Sequence, residues 1–218
     1  MESSRFKNEI NESHIIEKIL NGEIDLFELL MRRHNELLFR TIRSFIDVEA
    51  DIEDIMQETY MKAYIKLYQF KSESKFSTWL VRIGINEAIQ RKKKLSERRT
   101  ISIEDDDRFL QVVDKSILTP EIGIMHNEFT SFMEKAIDTL PEKYKIVFVL
   151  KEVEGMNIQE ISKCLDLSNS NVKVRLHRAK VMLQDSVLNL GDYSNVFEFG
   201  NSKCDYIVCC VLKRIHMI

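Results

Sequence analysis

The stretch NIQEISKCLDLSNSNVKVRLHRAKVML, Asn157–Leu183, decides the fold. Asn157 suits a helix N-cap, and Glu160 follows three residues later, the spacing of a capping box. Ile158, Ile161 and Leu165 then share one helix face. Asp166-Leu167-Ser168 makes a short turn. A second helix starts at Ser168 or Ser170, runs to about Leu183, and buries Val172, Leu176, Ala179 and Leu183. Two short helices joined by a tight turn, the second one basic, form a helix-turn-helix.

Turned at the helical period, the face opposite Val172 and Leu176 presents Ser170, Asn171, Val174, His177 and Arg178, with Lys173, Arg175 and Lys180 toward its flanks. Short polar groups and an arginine can reach base edges, and flanking cations can meet phosphates. The plainer alternative is an amphipathic helix that merely carries its cations in solvent.

Upstream, Met125, Phe129, Phe132, Met133, Ala136 and Leu140 fit one helix face. Pro141 ends that helix and suits the first turn of the next, which stops near Gly155. A domain is therefore expected over 120–184. Between 96 and 119 the helical period fades around the acidic run Glu104–Asp107, which predicts a flexible inter-domain linker.

The N-terminal part, 13–95, reads as a second helical domain. Ile15, Ile16, Ile19 and Leu20 mark a first helix, closed by Asn21-Gly22. A longer helix from about Asp25 to Ile46 carries the stripe Leu26, Leu29, Leu30, Leu37, Ile42 and Phe45. A third begins at Asp51, with Asp51, Glu53 and Asp54 in its first turn, where carboxylates favour the helix dipole. Its buried face is Ile52, Ile55, Met56, Thr59, Ala63 and Leu67. After the polar loop Lys71–Lys75, a fourth helix runs from about Phe76 to Leu95. Its first half (Trp79, Leu80, Val81, Ile83, Ile85, Ala88, Ile89) is apolar nearly all round, as in a helix sandwiched between others.

Three polar features have a bland and a functional reading. The basic run Arg91–Lys94 with Arg98 and Arg99 can simply end a helix in solvent, or it can contact phosphates beside Trp79. Trp79 itself reads first as core. The acids at 51–54, with Gln57 and Glu58, can be plain capping or a docking face for a basic partner helix. In the extension 185–218, Ile207, Val208, Val211, Leu212 and Ile215 predict a closing helix. Cys204, Cys209, Cys210 and His216 do not match a structural zinc spacing, so packing is the expected role of those cysteines and no metal is expected.

Composition narrows the class. The chain has 218 residues, 31% charged and 44% hydrophobic, with only six glycines and two prolines. Turn-rich β folds need those residues, so an all-α fold is expected. The net charge of -3 is unlike that of a protein that coats nucleic acid unaided. No phosphate-binding loop, dinucleotide fingerprint, HExxH or GxSxG is present, and the five histidines are scattered, so neither a catalytic residue nor a cofactor is expected. Met1–Asn11 lacks the apolar core of a signal peptide, and no apolar run could span a bilayer. With no CxxC pair among four cysteines, the expectation is a cytoplasmic, reduced protein without membrane insertion.

Two stretches together resemble the sigma factor family. DIEDIMQETY (Asp51–Tyr60), Lys62-Ala63-Tyr64, FSTWL (Phe76–Leu80), Arg82-Ile83 and Asn86 are similar to sigma region 2. LPEKY (Leu140–Tyr144), Glu154-Gly155, Glu160-Ile161 and Val172-Lys173-x-Arg175-Leu176-x-Arg178-Ala179 are similar to region 4. No domain lies between them, the mark of the extracytoplasmic-function (ECF) group. The resemblance implies an alternative sigma factor, a promoter-specificity subunit and not an enzyme. Its two small helical domains would be the region 2 bundle and the region 4 helix-turn-helix.

It also implies partners and sites. Asp54, Gln57 and Glu58 would meet the clamp helices of the polymerase β′ subunit. Ser74 and Lys75 of the loop, with Trp79, Arg82, Asn86 and Gln90, would meet the minus-ten element. Ser170, Asn171, Lys173, Val174, Arg175, His177 and Arg178 would read the minus-thirty-five element, and region 4 would touch the β flap. Promoter DNA, core RNA polymerase and an anti-sigma factor are the implied partners. Gln90 stands where an Asp is usual, Gly84 where Ala is usual, and Asn169-Ser-Asn171 replaces a Glu-Gly-containing start to the recognition helix. A helix-turn-helix regulator binding DNA without polymerase, and a sigma mimic that binds only protein, are the rival readings.

Overall fold

The computed structural model describes residues 11–101, 132–187 and 199–218. The described residues are all-α, with no strand among them. Helices α1 (Glu12–Leu20), α2 (Phe27–Arg43), α3 (Glu49–Ile65) and α4 (Phe76–Ile101) build the N-terminal domain. Helices α5 (described over 132–138), α6 (Glu142–Phe148), α7 (Ile158–Leu165) and α8 (Asn169–Val187) build the second, and α9 (Asn201–Ile215) follows. The linker over 102–119 lies outside the described residues, as do Met125, Phe129 and Phe197.

Local chemistry explains the boundaries. Asn11 caps α1 by accepting from the Ser13 amide at 3.1 Å. Asn157 accepts from the Glu160 amide at 2.9 Å while Glu160 accepts from the Asn157 amide at 2.8 Å, so the capping box is complete. Asp166 closes α7 in the left-handed region (φ 52°), a conformation its short polar side chain tolerates. Helix α4 runs past Leu95 to Ile101, into the start of the expected linker, because no glycine or proline interrupts Ser96–Ile101. Helix α6 widens into a π-helical turn over Val149–Val153 before Gly155, a change no sequence period announced.

The cores follow the expected faces with a few exceptions. Ile52, Ile55, Met56, Thr59, Ala63 and Leu67 are buried, as are Val172, Ala179 and Leu183. Leu20, Leu29, Ile89 and Phe132, expected inside, are exposed among the described residues. Gly84 has a packing reason. A Cβ there would lie 2.6 Å from Leu38 Cδ1, so any larger residue at this crossing of α2 and α4 would force Leu38 to move.

The two domains are docked on one another. Val81 and Ile85 of α4 join Ile146, Val147, Leu150, Met156, Ile161, Cys164 and Val172 in one buried cluster. The apolar girth of α4, read in the sequence as sandwiching, is thus met by the second domain. Arg40, 5% exposed, bonds Glu154 at 2.9 Å across this interface and Glu36 at 2.6 Å within α2. Arg43 makes a two-point contact with Asp138 at 2.8 and 2.9 Å.

Candidate nucleic-acid and polymerase interfaces

Helix α8 is presented by the capping box, the turn at Asp166 and the burial of Val172 and Ala179. Ser168 Oγ accepts from the Asn171 amide at 3.2 Å and completes its N-cap. Ser170, Asn171, Lys173, Val174, His177 and Arg178 are all exposed. Arg175 is half-buried and donates to Asn171 Oδ1 at 3.0 Å, which fixes both side chains at the start of the face. Arg178 donates to the Tyr144 hydroxyl at 3.3 Å, and that guanidinium holds the phenol below its usual pKa. The structure therefore brings the sequence-picked α8 residues onto one cationic, solvent-facing surface.

The residues expected at minus-ten DNA sit on the other domain, around a cleft of about 410 Å³. Ser74, Trp79 and Arg82 line it beside Phe70, and the far wall is Lys163 and Asp166 of the second domain. Ser72, in the loop before α4, takes a left-handed φ of 56°. Trp79 is half-buried, with its ring centroid 5.4 Å from Phe70 and 5.8 Å from Phe76. It is both packed and open to the cleft, so neither sequence reading alone describes it. Arg82, Asn86 and Gln90 are exposed along α4, and Gln90 lies away from the cleft, beside Asp54 and Arg91.

Lys75 meets Glu160 of α7 at 2.8 Å. Burial works against the charge on Glu160, yet the Lys75 contact and the Asn157 amide hold its carboxyl below the ordinary value. Beside it the Cys164 thiol donates to the Thr78 carbonyl at 3.4 Å, and burial pushes that thiol up to about 12. Helix α7 thus lies over one flank of the minus-ten candidates, a placement the sequence did not reveal.

The third group lies on α3. Asp54 bonds Arg91 at 2.9 Å, and Arg91 also reaches Asp51 at 3.2 Å. The acidic turn is therefore paired with the basic run of α4, and no side-chain hydrogen bond caps α3, whose N-cap is Val48. Gln57 is half-buried and Glu58 exposed. The C-terminal helix reaches this face: Arg214 pairs with Glu58 at 2.9 Å and shares a surface cleft with Gln57. Of the tail cysteines expected to pack, Cys204 is half-buried and packs against the core, Cys210 is half-buried, and Cys209 is exposed, while Ile207, Val208, Val211 and Ile215 fill the buried face.

Comparison with known proteins matches both halves. Residues 30–98 fit the family model for Sigma-70 region 2, and residues 133–183 fit that for Sigma-70, region 4. The chain is 27% identical over 187 residues to the ECF RNA polymerase sigma-E factor of Haemophilus influenzae, covering 82% of this chain and 96% of the relative. It is 28% identical over 180 residues to the ECF RNA polymerase sigma factor SigW of Bacillus subtilis, covering 80% and 96%. Among solved structures, the fold is similar to CnrH in complex with the cytosolic domain of CnrY (TM-score 0.54, 24% identity, covering 78% and 93%). It is also similar to the sigma factor RpoE in complex with the anti-sigma factor NepR from Bartonella quintana (TM-score 0.55, 21% identity, covering 72% and 91%). With the two region models in order and together spanning more than half of its length, the chain belongs to the sigma-70 family, in the extracytoplasmic-function group.

Proposed function

We propose that the chain is an alternative sigma factor that binds core RNA polymerase, directs it to promoters and has no active site of its own. The observation that carries this reading is the presence in one chain of a region 2 acidic face on α3 and an exposed, cationic region 4 helix α8. Residues 13–95 serve as the polymerase-binding and minus-ten module, 120–184 as the minus-thirty-five reader, 96–119 as the connection and 185–218 as an extension. Asp54, Gln57 and Glu58 are the contacts for the β′ clamp helices. Ser74, Lys75, Trp79, Arg82, Asn86 and Gln90 are the contacts for minus-ten DNA.

On α8, Ser170, Asn171, Lys173, Val174, Arg175, His177 and Arg178 are the contacts for minus-thirty-five DNA, while region 4 meets the β flap. Capture of unstacked bases in the cleft by Trp79 would offset the few kcal/mol that unstacking costs. The net charge of -3 fits a subunit whose DNA affinity comes mostly from the polymerase. Two similar structures hold a bound second protein, in one case named as an anti-sigma factor, which supports such a partner here. No helix among the described residues is long and apolar enough to cross a membrane, and the cytoplasm is the proposed location.

The test is transcription in vitro with core polymerase from the same host on a fragmented genomic library. Discrete new starts sharing two upstream boxes are expected. No starts and no polymerase binding, with a gel shift of free duplex, would replace this reading with an unaided regulator. Binding to polymerase without starts would indicate a mimic.

A further inference from the structure

Helix α9 docks across α2 and α3, far from it in sequence. Ile207, Val208, Val211 and Ile215 are buried there. Phe199, just before the helix, stacks on Phe39 of α2 with centroids 4.7 Å apart. The polar rim is equally specific. Arg32 pairs with Asp205 at 2.5 Å, Asn35 Nδ2 donates to Cys204 Sγ at 2.9 Å, and Lys203 pairs with Glu49 at the start of α3. Arg214 holds Glu58 at 2.9 Å and lines a cleft with Gln57. The helix carries Lys203, Lys213 and Arg214 against one acid, Asp205, and the α3 face it covers carries Glu49, Glu53 and Glu58.

From this we infer that the α2–α3 face recognises one amphipathic helix with a basic edge, and that α9 occupies that face in cis, in competition with the polymerase clamp helices. The inference rests on the assignment of Gln57 and Glu58 to polymerase binding, because α9 pairs with Glu58 and its Arg214 lies beside Gln57. A helix tethered to its own site acts at high effective concentration, so modest contacts suffice to compete with a partner in solution. The extension is thereby a built-in brake on assembly, released when core polymerase, or anything that binds α9, displaces it.

Three forms of the full chain test this by titration against core polymerase. Val211→Asp breaks the buried face of α9 and is expected to bind core at least tenfold more tightly than wild type. Arg214→Glu, which opposes Glu58 across a half-exposed pair, is expected to gain about two- to fivefold. Asn35→Cys, in a Cys209→Ser/Cys210→Ser background, can be oxidised to a disulfide with Cys204 that locks α9 in place. The locked form is expected to lose binding at least tenfold and to regain it with dithiothreitol. The lock keeps the test decisive if Val211→Asp does not fold. Equal affinity of the locked, reduced and wild-type forms would overturn the inference and leave the sigma assignment standing. Absence of core binding in every form would overturn both.

Discussion

Lys75 Nζ stands 2.8 Å from Glu160 Oε1, which ties the loop before α4 to the first helix of the helix-turn-helix. One turn further along α7, Cys164 is buried against the Thr78 carbonyl with its thiol pushed up to about 12. Alkylation of Cys164 therefore reports the parting of the domains, since only the thiolate reacts and only an opened interface frees it. Glu160→Gln keeps the capping box, as an amide oxygen still accepts from the Asn157 amide, but removes the attraction for Lys75. The expected result is a rise of about two- to fivefold in Cys164 labelling, the small effect of a pair whose lysine is largely exposed. An unchanged rate, read by mass spectrometry of the Cys164 peptide, would remove this pair from the forces that hold the domains together.

A larger effect is expected from the interface centre. Arg40 is 5% exposed and serves Glu36 and Glu154 together. Arg40→Ala leaves Glu154 buried without its cation and is expected to cost about 3 kcal/mol. Denaturant midpoints and Cys164 labelling both read this. A smaller response than that of Glu160→Gln would contradict the ranking.

The same glutamate gives docking a pH dependence. Burial, only partly offset by Arg40, raises Glu154 above the ordinary carboxylate value. The docked state thus holds that proton more tightly than the parted state. Docking is therefore expected to strengthen as pH falls through the raised value, and to weaken as pH rises through it. Glu160, held below the ordinary value, has the opposite sign, and its contribution is lost only at lower pH, as its own depressed value is crossed. Energy transfer between dyes on the two domains, followed down to the ordinary carboxylate value, checks this. Glu154→Gln should flatten the curve, and an undiminished slope would refute the assignment.

Two substitutions separate DNA reading from polymerase binding. Arg178→Ala should lower use of a cognate promoter about tenfold or more, the scale of one specific base contact, with core binding intact. Asp54→Lys should do the reverse and weaken co-elution with core polymerase, since it replaces an acid on the α3 face. Unchanged transcription in the first case, or normal co-elution in the second, would refute the role.

Gly84→Ala is expected to lower stability by about 1 kcal/mol. The added methyl would gain helix propensity but meet Leu38 Cδ1 at 2.6 Å in a closed core. Leu38→Val in the same chain should recover part of the loss, and thermal melts of the two single variants and the double variant measure that coupling. Additive effects would mean the two residues do not compete for space.

Much of this architecture was legible before any coordinates. The capping box at Asn157, the turn at Asp166 and the spacing of Val172, Ala179 and Leu183 are local signals, and local signals fix a helix-turn-helix. The face of α3 was readable for the same reason. What stayed hidden was tertiary. Val81 and Ile85 look alike whether they meet their own domain or another, so the apolar girth of α4 announced a sandwich without saying that the second domain supplies one side of it. Cys204 and Asn35 are distant in sequence, and nothing local pairs them. The continuation of α4 to Ile101 was missed because a polar run was read as a break, although Ser96–Ile101 holds no helix breaker.

The apolar seam between Val81, Ile85 and the second domain has a thermodynamic consequence of its own. Any partner that needs α4 uncovered sees only the fraction of molecules in which that seam is open. If that fraction is about 1%, the apparent dissociation constant is about 100-fold weaker than the intrinsic one. A ligand that grips both halves in the docked state lowers the fraction further without touching a DNA-reading side chain. One that prises the seam apart raises it equally indirectly. The hydrophobicity of a few side chains on α4 thus sets the apparent affinity of any partner that needs α4 uncovered.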